Sequence, residues 1–164
     1  MADQKIQYRC SVKALYHEKF ALIRELDKIN IEHLLESLSI EKNQEKVFQA
    51  GESAGASGSF FFFSHDNRFL IKTVSKSEKQ VIDEILDEYI CHLSDTQNKS
   101  LLARIYGLFL IESSFFKNVY IILMQNTSNI SDKNNIKYKF DLKGSRVSRY
   151  VDLGEKPKSK KFIN

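Results

Sequence analysis

The sequence predicts an α+β fold, an antiparallel sheet with helices packed on it, from three observations. The run Gly55-Ala56-Ser57-Gly58-Ser59 leads into Phe60-Phe61-Phe62-Phe63, a polar turn at His65-Asp66-Asn67, and then Phe69-Leu70-Ile71-Lys72-Thr73. That is a loop, an apolar strand, a turn and a second apolar strand. Ser75 and Glu78 stand ahead of Val81, Ile82, Ile85, Leu86, Tyr89 and Leu93, a capping box followed by one apolar face, so residues 76–94 are predicted as a helix. Residues 101–112 and 118–125 are β-rich runs joined by Ser113-Ser114-Phe115-Phe116-Lys117, the pattern of a further antiparallel pair.

The remaining elements follow in chain order. Val12, Leu15, Tyr16, Phe20, Ile23 and Leu26 fall close to helical spacing with charged residues between them, which predicts one amphipathic helix over residues 11–28. Asn30 is placed to cap a second short helix ending at Leu38, and Glu41 to Gln44 read as a polar break. Val47-Phe48-Gln49-Ala50 is expected to form the strand entering the Gly/Ser loop, and Phe60 to Phe63 are expected in the sheet core on alternating faces. Residues 128–135 read as a polar loop and residues 137–142 as a further strand. The expected organisation is a helical segment over residues 1–44, a sheet-bearing domain over 45–150 and a basic tail over 151–164.

A chain of 164 residues with 42% hydrophobic content suffices for one ordinary core. No apolar stretch is long enough for a membrane-spanning helix, and Met1-Ala2-Asp3-Gln4-Lys5 does not open a signal peptide, so a cytoplasmic location is expected. Cys10 and Cys91 lack CxxC or Cys/His spacing, and His17, His33 and His92 share no ligand spacing, so reduced thiols and no metal centre are expected. The net charge of +4 is uneven, because residues 133–164 hold ten Lys/Arg against three acids. Such a segment attracts an acidic membrane surface or a phosphorylated headgroup, or serves only as a solubilising end. Nucleic acid is not an expected partner, since no aromatics are interleaved with Lys156 to Lys161.

The chemistry concentrates in the first hairpin. Glycines at 55 and 58 let a backbone approach an anion, Ser57 and Ser59 can donate hydroxyl hydrogen bonds to phosphate, and Lys72 adds a point charge on the neighbouring strand, facing the same way as Leu70. Together these parts suit a nucleoside triphosphate held under a kinase-type roof. A P-loop NTPase is excluded, because Lys-Ser/Thr does not follow the final glycine and the next lysine after Gly58 is Lys72. The loop also departs from the protein-kinase form Gly-x-Gly-x-x-Gly. A lysine within an apolar strand calls for a partner, and Glu78 or Glu84 on the following helix could supply it.

Tyr138-Lys139-Phe140-Asp141-Leu142-Lys143-Gly144-Ser145 reproduces the Asp-Leu-Lys-Gly-Ser signature of phosphatidylinositol phosphate kinases, and the first hairpin resembles that family's Gly-x-Ser-Gly-Ser loop followed by Ile-Lys-Thr. Between them, Ser100 to Leu108 resembles the family's Leu-Leu-Pro-x-Phe-Tyr-Gly-Leu segment, and Val119 to Asn126 resembles the strand that leads to its hinge. Leu34 to Leu38 is similar to the family's Tyr-Leu-x-Ser-Leu helix, so the likeness covers roughly residues 11–150. It implies the amino-terminal lobe of a lipid kinase that phosphorylates phosphatidylinositol phosphates from ATP. On this likeness Gly55, Ser57, Gly58, Ser59, Leu70, Lys72, Met124 and Asn126 bind nucleotide, and Lys72, Asp141 and Lys143 are catalytic. Magnesium ligands and the specificity loop are expected downstream of Asn164, so the isolated chain is expected to be inactive. Implied partners are phosphoinositide lipids at a membrane surface, with peripheral association, and the option of a second copy as a homodimer. Two departures are visible: Gln80 stands where a second acid is common, and Arg146 where the family usually has Thr. The alternative function is a non-catalytic kinase-like module binding a partner or an acidic lipid surface.

Overall fold

The computed structural model describes residues 10–45 and 60–129. The expected strand at residues 47–50, the Gly/Ser loop, the strand at 137–142 and the basic tail lie outside them. The elements are β1 (Cys10–Leu15), α1 (His17–Leu26), α2 (Ile31–Ser37), a helical stretch α3 over residues 40–45, β2 (Phe61–Phe63), β3 (Phe69–Val74), α4 (Lys76–Asp95), β4 (Ile105–Ser113) and β5 (Val119–Gln125). The strands form one five-stranded sheet in the order β1-β4-β5-β3-β2, with every neighbouring pair antiparallel. This is the α+β architecture the sequence predicts.

Register fixes the two faces. Lys72 lies opposite Ile122, and Ile122 opposite Leu108, so these three side chains share a face along with Leu70, Val74, Tyr120 and Met124. Helix α4 covers that face: Val74, Ile82, Leu86, Leu93, Leu108 and Ile122 are buried together, and Phe20 and Ile23 of α1 join them. Helix α1 packs against β4 and α4. Its Arg24 donates to the Tyr106 carbonyl at 2.5 Å, and burial pushes the Arg24 guanidinium down from its usual range.

The opening segment differs from the expected single helix. Residues 10–15 pair along β4 from Cys10 opposite Ser113 to Leu15 opposite Leu108, and Tyr16 then adopts a left-handed conformation at φ 52° that starts α1 directly. Residues 41–44 are helical rather than a break, and the buried Asn43 serves as a bracket: its amide donates to the carbonyls of Ser37 (2.9 Å) and Ser39 (2.7 Å), while its oxygen accepts from the His65 N–H at 2.8 Å. The Phe60 to Phe63 run is not core, since β2 is an edge strand among the described residues and Phe61 and Phe63 are exposed. Residues 101–104 do not extend β4. The buried Arg104 gathers that segment instead, donating to Asn98 Oδ1 at 2.6 Å, the Asn98 carbonyl at 2.6 Å and the Leu102 carbonyl. Tyr106 donates to Asp27, and burial followed by this carboxylate raises its phenol far above the usual range.

The β2–β3 turn is His65-Asp66-Asn67, as predicted, with Asn67 at φ 58°. Asp66 Oδ1 accepts from Ser64 Oγ at 2.6 Å and from the Arg68 N–H at 3.1 Å, and Oδ2 accepts from Ser37 Oγ of α2 at 2.5 Å. Burial pushes the Asp66 carboxyl up, but these hydrogen bonds outweigh it and hold the group below its ordinary value.

A carboxyl whose folded pKa is depressed contributes stability that is present above its unfolded value of about 3.9 and is lost as pH falls through the lower folded value. Urea titrations at a series of pH values should therefore show Asp66→Asn with a shallower acid loss of stability than wild type. Equal acid slopes would show that Asp66 does not pin the turn. Leu108, fully buried at 0% exposure, should cost about 2–5 kcal/mol on truncation to Ala, read from the same denaturation midpoints.

Candidate nucleotide site

Three of the four predicted binding residues that fall within the described chain, Leu70, Lys72 and Met124, share the α4 face of the sheet. Leu70 and Met124 lie directly opposite each other on β3 and β5, and Lys72 is one pleat further along β3. The Lys72 side chain is 33% exposed, with Nζ 3.3 Å from Glu78 Oε1. Of the two carboxylates open from the sequence, Glu78 is the partner, while Glu84 accepts from Gln80 at 3.1 Å.

Glu78 is held from two sides. Its Oε2 accepts from the Ser75 N–H at 2.7 Å, and its own N–H donates to Ser75 Oγ at 3.2 Å, completing the capping box of α4. The Ser75 N–H, then burial acting in the opposite sense, then the Ser75 hydroxyl and Lys72 leave the Glu78 carboxyl below its ordinary value. A half-exposed pair of this kind is worth about 0–1 kcal/mol. Its effect is positional: one carboxylate joins the first turn of α4 to the strand lysine. The capping box is legible in the sequence, whereas the reach of Glu78 to Lys72 requires knowing that β3 runs straight into the helix.

Asn126 sits just beyond β5 and belongs to the turn. Its N–H donates to the Arg68 carbonyl at 3.0 Å, its carbonyl accepts from the Asn129 N–H at 3.0 Å, and its side-chain amide donates to the Asn67 carbonyl at 2.7 Å. It fixes the end of β5 against the β2–β3 turn, close to the Leu70/Met124 pair. Gly55, Ser57, Gly58, Ser59, Asp141 and Lys143 lie outside the described residues. Phe60, the first described residue after the Gly/Ser run, is bonded to Thr73 beside Lys72: the Thr73 N–H donates to its carbonyl at 2.9 Å, and its own N–H donates to Thr73 Oγ1 at 3.0 Å. Phe60 therefore lies at the lysine end of β3.

An apolar cavity of ≈ 540 Å³ lies on the opposite side of the sheet, where Phe62, Ile71, Phe109 and Ile121 meet Leu38 and Ile40. None of Leu70, Lys72 and Met124 lines it. No group of three or more His, Cys, Asp or Glu is arranged to hold a metal among the described residues, and no helix among them is long and apolar enough to cross a membrane.

A sheet backed by one long helix, with a strand lysine joined to that helix by a carboxylate, is the amino-terminal lobe of the phosphatidylinositol phosphate kinase type. Residues 42–163 match the family model described as phosphatidylinositol-4-phosphate 5-kinase, and the chain belongs to that family. It is 38% identical over 115 residues to a probable phosphatidylinositol phosphate kinase of Dictyostelium discoideum, covering 70% of this chain and 16% of that protein. It is 37% identical over 139 residues to the human phosphatidylinositol 4-phosphate 5-kinase type-1 alpha, covering 85% of this chain and 23% of that protein. A phosphatidylinositol 4-phosphate 5-kinase of Schizosaccharomyces pombe is 39% identical over 101 residues, 62% of this chain and 13% of its own length. The chain thus spans less than a quarter of each of these relatives.

Replacing Ser75 by Ala removes the N-cap acceptor of α4 and should cost about 1 kcal/mol. Equilibrium urea denaturation with an unchanged m-value checks this, and a loss of only a few tenths would mean that the cap does not hold the helix in place.

Proposed function

We propose that this chain carries the ATP-binding lobe of a kinase that phosphorylates phosphatidylinositol phosphates. The observation that carries the reading is the common face of Leu70, Met124 and Lys72, with the lysine amine partly open and oriented by Glu78 at the start of α4. An apolar wall formed by Leu70 and Met124 suits a flat base, and a cation one pleat away suits phosphate oxygens, so this donor set fits a nucleoside triphosphate. By the family likeness Gly55, Ser57, Gly58 and Ser59 are assigned to nucleotide binding and Asp141 and Lys143 to catalysis, all six outside the described residues.

Bound ATP supplies the phosphoryl group to be transferred. Lys72 contributes a fixed positive charge whose value lies in being oriented before the charge on the phosphoryl oxygens develops. Glu78 keeps the flexible lysine stem from wandering, and the Ser75 cap keeps Glu78 in place. The magnesium ion common to phosphoryl transfer would take its ligands from elsewhere in the protein. The ten basic residues against three acids in 133–164 support peripheral attachment to an anionic phosphoinositide surface, in a cytoplasmic setting. The same charge supports a second reading, a non-catalytic module that only binds such a surface.

In the complete protein, Lys72→Met should lower phosphate transfer from ATP to phosphatidylinositol phosphate by about a hundredfold or more, with an unchanged melting temperature because the strand position accepts an apolar chain. Transfer of labelled phosphate to lipid vesicles measures it, and near wild-type turnover in a folded variant would overturn the reading.

A further inference from the structure

The first turn of α4 is held from outside the helix as well as from within. The Lys79 N–H donates to the Ser75 carbonyl at 2.9 Å, closing the turn that carries Glu78. Consecutive helical residues stand about 100° apart, so the Lys79 side chain leaves the helix on a different side from Glu78. It runs between two aromatic rings, with Nζ 5.8 Å from the centre of Tyr16 and 6.0 Å from the centre of Tyr120, within cation–π range. Tyr16 is the junction of β1 and α1, and Tyr120 stands on β5 opposite Val74. The amine ends on Asp83 one turn further along α4, donating to Oδ2 at 2.5 Å. This hydrogen bond, against burial, and then the Asp83 charge and Tyr16 raise the Lys79 amine above its usual value.

Stability alone does not account for the pair. Both side chains are largely covered, at 22% and 27% exposure, and Asp83 Oδ1 is buried with no hydrogen-bond partner among the described residues. A covered ion pair is commonly no more stable than apolar side chains of similar volume, and an unsatisfied buried oxygen costs stability. What the arrangement supplies is orientation. We propose that Lys79 is a positioning residue for phosphoryl transfer, fixing the rotation of α4 about its own axis so that Glu78 meets Lys72. The helix cannot turn without withdrawing Lys79 from between Tyr16 and Tyr120, and the same turn separates Glu78 from the Lys72 amine 3.3 Å away. The Lys72–Glu78 pair is partly exposed and weak, so it cannot set that rotation by itself. Lys79 is anchored on β5, on the β1–α1 junction and on α4 at once, whereas Glu78 reaches only β3 and its own cap. The inference rests on the kinase reading for the consequence of misplacing Lys72.

The test compares variants of the complete protein by melting temperature and by kcat for phosphate transfer from ATP to phosphatidylinositol phosphate in vesicles. Lys79→Met/Asp83→Leu removes the pair without leaving either charge alone. The expected result is a melting temperature equal to or above wild type with kcat lower by about tenfold or more. Lys79→Arg keeps a cation over the rings and a donor to Asp83, and should hold kcat within about threefold of wild type. In a protein already carrying Glu78→Gln, the double substitution should change kcat by less than about twofold, because Lys79 acts through Glu78. Wild-type kcat in the double variant would overturn the proposal, as would a full tenfold loss in the Glu78→Gln background or a Lys79→Arg protein as slow as the double variant. A melting temperature lower by more than about 5 °C would make the pair a structural one and overturn it too. Lys72→Met reports the kinase reading by itself. Transfer that survives Lys72→Met defeats that reading, whereas transfer lost in Lys72→Met but kept in the double variant defeats only the positioning role.

Discussion

The register of β3 against β5 is the constraint on which everything else depends. Side chains alternate along a strand, so a slip of one residue would carry Lys72 from the α4 face to the apolar groove and turn Ile71 towards the helix. The slip is opposed at both ends. At one end Asn126 ties β5 to the β2–β3 turn, and Asp66 ties that turn to α2. At the other, β3 passes into α4 through Ser75, whose N–H is held by the same carboxylate that faces Lys72. The apolar layer between sheet and helix supplies the energy, and the short polar links decide which pairing that energy stabilises.

One buried polar group, Arg104, does work that apolar packing could not. Arg104 has no facing carboxylate among its hydrogen-bond partners. It is surrounded by carbonyl oxygens and the Asn98 side chain, and so organises a segment that would otherwise expose unpaired backbone acceptors between α4 and β4. Asn98 in turn donates to Asp27 at 2.7 Å, and Asp27 accepts from Tyr106. The chain therefore fixes the end of α1, the end of α4 and the start of β4 around one network rather than by three separate loops.

The parts of this fold that were legible in the sequence are those whose partners lie nearby along the chain. The hairpin of β2 and β3, the capping box and α4 are specified within a few residues each, and the structure places them as the pattern predicts. Strand β1 was not legible, because Val12 and Leu15 satisfy a helical spacing and their actual partners, Ile111 and Leu108, are almost a hundred residues away. Residues 41–44 misled for a different reason: a polar stretch can be the solvated face of a short helix, and Asn43 is buried for its hydrogen bonds rather than for apolarity. The position of Lys72 could be assigned to a face by alternation, but its choice of Glu78 over Glu84 depends on the tightness of the β3–α4 junction, which no periodicity encodes.

The junction between β1 and α1 has a mechanical meaning. Among the described residues β1 stands at the sheet edge and passes into the half-buried α1 through Tyr16 alone, in a left-handed conformation, so there is no slack chain between them. Lys79 of α4 lies 5.8 Å from the centre of the Tyr16 ring, and Lys19 of α1 is paired with Asp87 of α4. Any partner that grips or displaces the outer strand would thus tug on α1 and, through these contacts, on the helix whose first turn orients Lys72. Among the described residues the outer strand and the helix that orients Lys72 are thus coupled through one residue and two side-chain contacts.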